Sequence, residues 1–253
     1  MSPVPKHRHS ESGGYPRGEE TRARIVDAAL KLFGEHGFEG ASTRDIAKNA
    51  GVNAPALQYY FDNKEGVYFA CVEHIVARVW EHMSEVIDSA ERAILDKSDD
   101  AALIEVFCAI QDKLAEFLVT SQDTHDWRLF MARQQAGLGP AAGFQIVYQL
   151  FSKRVFAVAG TIVGRLLGRP ADDDETLIRT TALLGQLTVF QVSRRTALTV
   201  LEWETIDAHQ LAMIKRIIRE HTVALLRSLT SVRRSNLKGH HGRTGARVRR
   251  KRR

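Results

Sequence analysis

Apolar residues recur at helical spacing almost without interruption from residue 19 to residue 229. Ile25, Ala28, Ala29, Leu32 and Phe33 fall at i, i+3, i+4, i+7 and i+8, and Gly34 with Gly37 closes that first helix. Ser42 followed by Asp45 predicts a capping box for a short second helix carrying Ile46 and Ala47, which the Ala50-Gly51-Val52 corner ends. Asn53 then caps a third helix, with Ala54 and Pro55 in its first turn, where the missing N–H of proline does no harm. Asp62 and Glu65 form a further N-cap and N3 pair, opening a long helix through Val67, Cys71, Ile75, Val79, Met83, Val86 and Ile94.

The same periodicity predicts helices over 100–120, 125–135, 144–167, 174–197 and 207–229. The last opens on Asp207 with Gln210 at N3, and the turn-rich stretches GLGPAAG and GRPADDD separate its predecessors. No stretch alternates with period two, so the fold is all-α, with about nine helices expected. Residues 1–18, polar and rich in proline and glycine, read as a disordered arm, and 232–253 as a disordered basic tail. Between them lie a small domain over 19–66 and a larger helical one over 67–231.

Charge changes the picture less than its total suggests. The formal net charge is +6, but residues 233–253 hold ten Lys and Arg and no acid; without them 26 basic residues face 30 acids. Residues 19–66 alone carry six basic and eight acidic side chains, so bulk charge does not mark that segment as a nucleic-acid binder. Placement does. Two short helices joined by a glycine corner form a helix-turn-helix, whose second member can lie in the major groove. On a helix starting at Ala54, Leu57 and Phe61 share the inner face while Pro55 and Gln58 project outward. Tyr59 and Tyr60 flank that stripe, each able to cover apolar surface while its hydroxyl reaches a phosphate. Lys64 stands in the first turn of the long helix, where free N–H groups and the helix dipole already favour an anion. Thr43 and Arg44 open the second helix, within reach of the opposite strand, and Arg44 could also read a guanine edge.

These residues resemble a known family. TRARIVDAALKLFGEHGFEGASTRDIAKNAGVNAPALQYYFDNKEG looks like the N-terminal domain of TetR-family transcriptional regulators, and NAPALQYYF with the later LLGQLTVFQVSR is similar to the CecR-type (CerR-type) subgroup. The resemblance implies a homodimeric DNA-binding regulator, usually a repressor acting on a palindromic operator, whose C-terminal helices enclose a small-molecule effector. By position it implies base reading by Arg44, Ala54, Pro55 and Gln58 and phosphate contacts by Thr43, Tyr59, Tyr60 and Lys64; Asn53 stands where the family often has serine. The subgroup tends towards an Arg-Glu-Gln helix end where this chain reads ARQQ, so a neutral Gln134 replaces the acid and a ligand role there is not carried over.

In the larger domain the helix over 174–197 is apolar on more than one face, through Leu177, Ile178, Leu183, Leu184, Leu187, Val189, Phe190 and Val192. A helix greasy on several sides must be buried on several sides. With the seam Leu211, Ile214, Ile218 and Leu225 of 207–229, it is expected to pair with its symmetry mates in a four-helix dimer interface. Gly160, Gly164 and Gly168 recur every four residues and allow close backbone approach. Polar and aromatic residues within the apolar pattern, His82, Trp127, Arg128, Met131, Gln135, Tyr148, Gln186 and Gln191, are the candidate effector contacts.

Other classes find little support. There is no P-loop and no nucleophile with an identifiable base; Cys71 and His74 have a metal-like spacing, but two ligands do not make a site. The expectation is a protein that is not an enzyme and needs no metal or cofactor. Two cysteines within helical patterns fit a reducing compartment, and neither a secretory peptide nor a spanning run is visible, the apolar stretch from Val155 being cut by Arg165. The location expected is cytoplasmic. A sequence-indifferent architectural DNA-binding protein, driven by the basic tail with Arg233, Arg234 and Lys238, is the competing reading.

Overall fold

A computed structural model describes the backbone of residues 14–120 and 124–249, and the side chains of 18–117 and 126–234. Residues 1–13 of the expected arm and 250–253 of the tail lie outside the described residues. Among the described residues every regular element is helical: α1 (Gly14–Gly40), α2 (Thr43–Asn49), α3 (Ala54–Phe61), α4 (Lys64–Leu95), α5 (Asp100–Thr120), α6 (Thr124–Gln135), α7 (Ala141–Val147), a π-helical turn (Tyr148–Ser152), α8 (Lys153–Leu167), α9 (Asp174–Gly185), α10 (Thr188–Gln191), α11 (Arg194–Leu201) and α12 (Ala208–Arg249). The all-α expectation holds.

The chain divides into two compact units, Met1–His74 with Asp126–Phe144, and Ile75–His125 with Gln145–Arg253. In the first, Ile25, Ala29, Leu30 and Phe33 of α1, Ile46 of α2, Leu57 and Phe61 of α3, Val67 and Tyr68 of α4 and Phe130 of α6 are buried together with Ala47. Gly37, at φ 75°, breaks α1 before its last residues, a conformation that costs glycine little and other residues more. In the second unit, α5 packs along α12, and α8 along α9 and α12. The side chains these helices bury are Leu103, Phe107, Ile110 and Leu114 of α5, Val158, Ile162, Val163 and Leu166 of α8, and Ile214, Ile218 and Leu226 of α12.

Four expectations need correction. The cap of α4 is Asn63, not Asp62: the Asn63 Oδ1 accepts from the Gly66 N–H at 2.8 Å, while Asp62, at φ 57°, ends α3 by donating to the Gln58 carbonyl at 3.0 Å. Reversing the chain consumes Asp62, so the cap moves one residue on. The helix expected over 174–197 is interrupted twice, giving α9, α10 and α11. The Leu183 carbonyl takes hydrogen bonds from Gln111 Nε2 (2.8 Å) and from Gln186 Nε2 (3.3 Å), and side chains inserted into the i→i−4 ladder are a recognised cause of helix breaks. The helix over 144–167 is likewise divided by the π-helical turn, where Trp80 Nε1 donates to the Leu150 carbonyl at 2.6 Å. In the last helix Leu226, fully buried, replaces Leu225, 40 % exposed, on the inner seam with Thr222.

Two further features bear on composition. The backbone of α12 continues through 232–249, where composition predicts disorder, and at its root Arg233 and Arg234 pair with Asp100 at 2.8 and 2.7 Å. Arg233 also donates to the Arg165 carbonyl at the end of α8. The stretch Ala141–Leu167 is, by length and composition, apolar enough to cross a membrane, although no such run was expected. Its Arg154 is bound to Asp88 and Glu91 at 2.8 Å, and one face of α8 is buried in the second unit, as in the core helix of a globular protein. Close approach at the glycine series is real, but the approaching backbone is the chain's own turn: a Cβ on Gly164 would lie 2.8 Å from the Arg169 carbonyl oxygen.

Candidate nucleic-acid interface

The two short helices are set by their caps. Ser42 Oγ accepts from the Asp45 N–H at 3.1 Å, Asn53 Oδ1 accepts from the Ala56 N–H at 2.8 Å, and Gly51, at φ 65°, turns the chain between them. With Leu57 2 % and Phe61 6 % exposed, one face of α3 is fixed inward. The opposite face is thereby presented: Ala54, Pro55 and Gln58 are exposed, and Asn53 is exposed at its cap. Tyr59 is 83 % exposed and Tyr60 half-buried, their rings edge to face at 5.3 Å. Thr43 is half-buried and Arg44 exposed in the first turn of α2. Lys64 is half-buried in the first turn of α4, its ammonium 3.3 Å from the Glu39 carbonyl oxygen and 4.5 Å from the centre of the Phe38 ring. That ammonium is steered by the end of α1, with two of its three N–H donors left for another acceptor. The turn between α3 and α4 tolerates no side chain at Gly66, because a Cβ there would overlap the Phe61 carbonyl.

The segment Asp126–Phe144 belongs to this same unit and braces it. Arg133 donates from Nε to the Gly34 carbonyl (2.9 Å) and from Nη2 to that of Glu35 (3.0 Å), placing a cation on the carbonyls that end the regular part of α1. Tyr68 donates its hydroxyl proton to Gln134 Oε1 at 2.5 Å, and burial raises the tyrosine's pKa well above its usual value. Gln134 is therefore a buried structural partner, which sequence alone did not show; its partner lies 66 residues away and leaves no local signal. Phe33, Tyr68 and Phe130 complete an aromatic cluster, with centroids 4.6 Å apart for Tyr68 and Phe130.

Residues 25–71 match the family model of the bacterial regulatory proteins of the tetR family, and residues 103–229 match that of the C-terminal domain of the HTH-type transcriptional dual regulator CecR. The chain belongs to the TetR family, with a CecR-type C-terminal domain. It is 28 % identical over 214 residues to the CecR regulator of Shigella flexneri, covering 85 % of this chain and 95 % of that protein. Among solved structures it is similar to AibR in complex with isovaleryl coenzyme A and operator DNA (TM-score 0.55, 15 % identity, 79 % of this chain and 96 % of that one). It is also similar to FadR from Bacillus subtilis in complex with stearoyl-CoA (TM-score 0.50, 17 % identity, 79 % and 97 %). At those identities the structural likeness speaks for the fold. As a TetR-family member the protein is a DNA-binding transcriptional regulator, and the relatives it matches are regulators too.

In this TetR-family chain the expected effector contacts divide between the units. Trp127, Arg128, Met131 and Gln135 lie on α6 in the first; the first three are half-buried, Gln135 is exposed, and Trp127 meets His74 edge to face at 5.6 Å. His82, Tyr148, Gln186 and Gln191 lie in the second, where His82 and Tyr148 are exposed and Gln186 and Gln191 half-buried. Gln186 Nε2 bonds Thr222 Oγ1 at 3.3 Å, and Gln111 beside it is 2 % exposed. An open cleft of about 740 Å³ between α1 and α2, lined by Leu32, His36, Gly40, Ala41, Asp45, Lys48 and Asn49, contains none of these residues. Among the described residues no group of three or more His, Cys, Asp or Glu could hold a metal ion.

The second unit leaves apolar surface uncovered on the helices expected to dimerise. Leu177 and Ile178 of α9 are 41 and 68 % exposed, Val189 and Val192 of and beside α10 46 and 53 %, and Ile217 and Leu225 of α12 37 and 40 %. By contrast Leu183, Leu184 and Leu187 are buried within the chain. Of the eight apolar residues expected on 174–197, three are thus buried within the chain, four are exposed and Phe190 is half-buried.

Proposed function

We propose that the protein is an effector-responsive regulator that binds a palindromic operator as a homodimer, working as a repressor in the cytoplasm. The observation that carries the reading is the division of α3 into a buried face, Leu57 and Phe61, and a presented face, Pro55 and Gln58, flanked by Tyr59, Tyr60 and Lys64. A helix anchored in this way offers side chains to base edges while its neighbours hold the sugar-phosphate backbone. Gln58 pairs naturally with adenine N6 and N7, and Arg44 with guanine O6 and N7. Thr43, Tyr59, Tyr60 and Lys64 contact phosphates, and Asn53, Ala54 and Pro55 pack against the groove. The exposed apolar residues of α9 and α12 support the homodimer, since a second copy packed on these helices would remove them from water.

Control follows from α4, an unbroken helix from Lys64 to Leu95 whose residues belong to both units. An effector held by the C-terminal helices and preferring one disposition of α4 alters the spacing of the two reading helices, and operator affinity falls by the difference in its binding free energies. The architectural reading loses two of its residues, because Arg233 and Arg234 are engaged by Asp100. Selection of binding sites from random duplexes tests the proposal: a twofold-related consensus is expected, and recovery of unrelated sequences would refute it.

A further inference from the structure

The unit that carries α3 is short of the charge a duplex demands. Residues 19–66 hold six basic and eight acidic side chains, and two of the acids, Glu19 and Glu20, are exposed on the early turns of α1. A duplex carries one negative charge per about 1.7 Å of its axis, and affinity grows with the phosphates that Lys and Arg neutralise. Immediately before, in residues 1–18, the balance reverses: Lys6, Arg8 and Arg17 stand against the single acid Glu11, with His7 and His9 interleaved. The ten cations at the other end of the chain begin in the second unit, with Arg233 and Arg234 held by Asp100.

The point at which the basic segment joins the fold is fixed by two contacts of α1. A Cβ on Gly18 would lie 3.7 Å from the Tyr60 hydroxyl oxygen. One turn further on, the Arg22 guanidinium lies over the Phe61 ring, 5.3 Å from its centre. The start of α1 is thus seated on the C-terminal half of α3, and the residues before it leave the unit beside Tyr60, which the reading above sets against a phosphate. Eight residues of extended chain span at most about 29 Å, so Lys6 and Arg8 stay within that distance of Gly14. With α3 in the major groove, the minor groove lies on the far side of the phosphate rail that Tyr60 touches. That groove is about 6 Å wide and admits Arg and Lys side chains, and its negative potential is deepest where A·T runs narrow it.

We propose that residues 1–17 are a second DNA contact, an arm that crosses the sugar-phosphate backbone beside Tyr60 and places Lys6 and Arg8 in the minor groove flanking each half-site. The arm offsets the repulsion of Glu19 and Glu20 and reads A·T against G·C outside the bases that α3 reaches. The inference rests on the placement of α3 and Tyr60 against an operator proposed above, and adds to it a contact that α3 does not make.

Operator duplexes with a fixed core and either A·T or G·C flanks, titrated with the full chain at several salt concentrations, test it. The wild type is expected to favour A·T flanks by at least about threefold. Lys6→Ala with Arg8→Ala, made together, should abolish that preference and lower the salt slope by about two, while discrimination within the core is unchanged. Lys6→Arg with Arg8→Lys keeps both charges and should keep the wild-type slope. An unchanged slope in the alanine variant, or a wild type indifferent to its flanks, would overturn the arm while leaving the reading helix in place. A full chain that selects no operator core at all would instead remove the reading-helix assignment, and the arm with it.

Discussion

Gln58 and Lys64 sit six positions apart at one surface and have different tasks. Gln58 is exposed while Leu57 and Phe61 turn inward, so its carboxamide is free to read a base edge; Lys64 is steered by the Glu39 carbonyl and the Phe38 ring and offers a point charge. Gln58→Ala should therefore reduce discrimination between the operator and its single-base variants, by about 1–3 kcal/mol at the adenine it reads. Lys64→Ala should weaken all sequences alike and lower the salt slope by about one. Competition binding at several salt concentrations separates the two, and equal loss of discrimination in both would contradict the assignment. The thiols form a second residue-level test. Burial raises the pKa of Cys71 well above its ordinary value and pushes that of Cys108 up to about 11, so both stay protonated near neutral pH. Labelling by a thiol reagent at about pH 8 should follow unfolding, with negligible modification of the native protein.

At the scale of elements, the helix-turn-helix depends on a few local groups that the sequence displays openly. The Asn53 cap and the Gly51 turn were both readable, because capping and positive φ are properties of adjacent residues. Asn53→Ala should cost about 1 kcal/mol, and Gly51→Ala a similar amount, roughly 1 kcal/mol, since the space around Gly51 is open and only its backbone conformation resists a side chain. Shifts in the urea midpoint measure both. Gly66→Ala should be worse than either, because there the obstacle is the Phe61 carbonyl. The ion pairs of Arg154 give a pH test with a definite sign. Hydrogen bonding to Arg154 lowers the Glu91 carboxyl below its ordinary range, so the pair contributes stability above the unfolded carboxylate pKa and loses it as pH falls through the folded one. Glu91→Gln should make the acid limb of the stability profile shallower between about pH 3 and pH 5, and an unchanged limb would show that the exposed pair contributes nothing.

For the whole molecule the decisive quantity is coupling between effector and operator. Typical coupling free energies of about 1–3 kcal/mol would change operator affinity by roughly 5- to 150-fold, and the operator must change effector affinity by the same factor. Titrating each ligand in the presence and absence of the other checks both directions; unequal factors would mean that the two do not share one equilibrium. Dimerisation belongs to this scale as well, and the uncovered Ile178 and Val189 are among the apolar side chains a second copy would cover.

What the sequence determined by itself was everything carried by neighbours along the chain: the helical periodicity, the caps at Ser42, Asn53 and Asp207, the inward pair Leu57 and Phe61, and the outward Gln58. Only the tertiary structure decided what depends on partners far apart in sequence. Gln134 became a core residue because Tyr68 reaches it, the helix over 174–197 broke where Gln111 meets the Leu183 carbonyl, and Arg233 left the basic tail for Asp100. A hydrogen bond or ion pair between distant segments is selected by packing, and apolar periodicity carries no record of which polar groups packing will bring together.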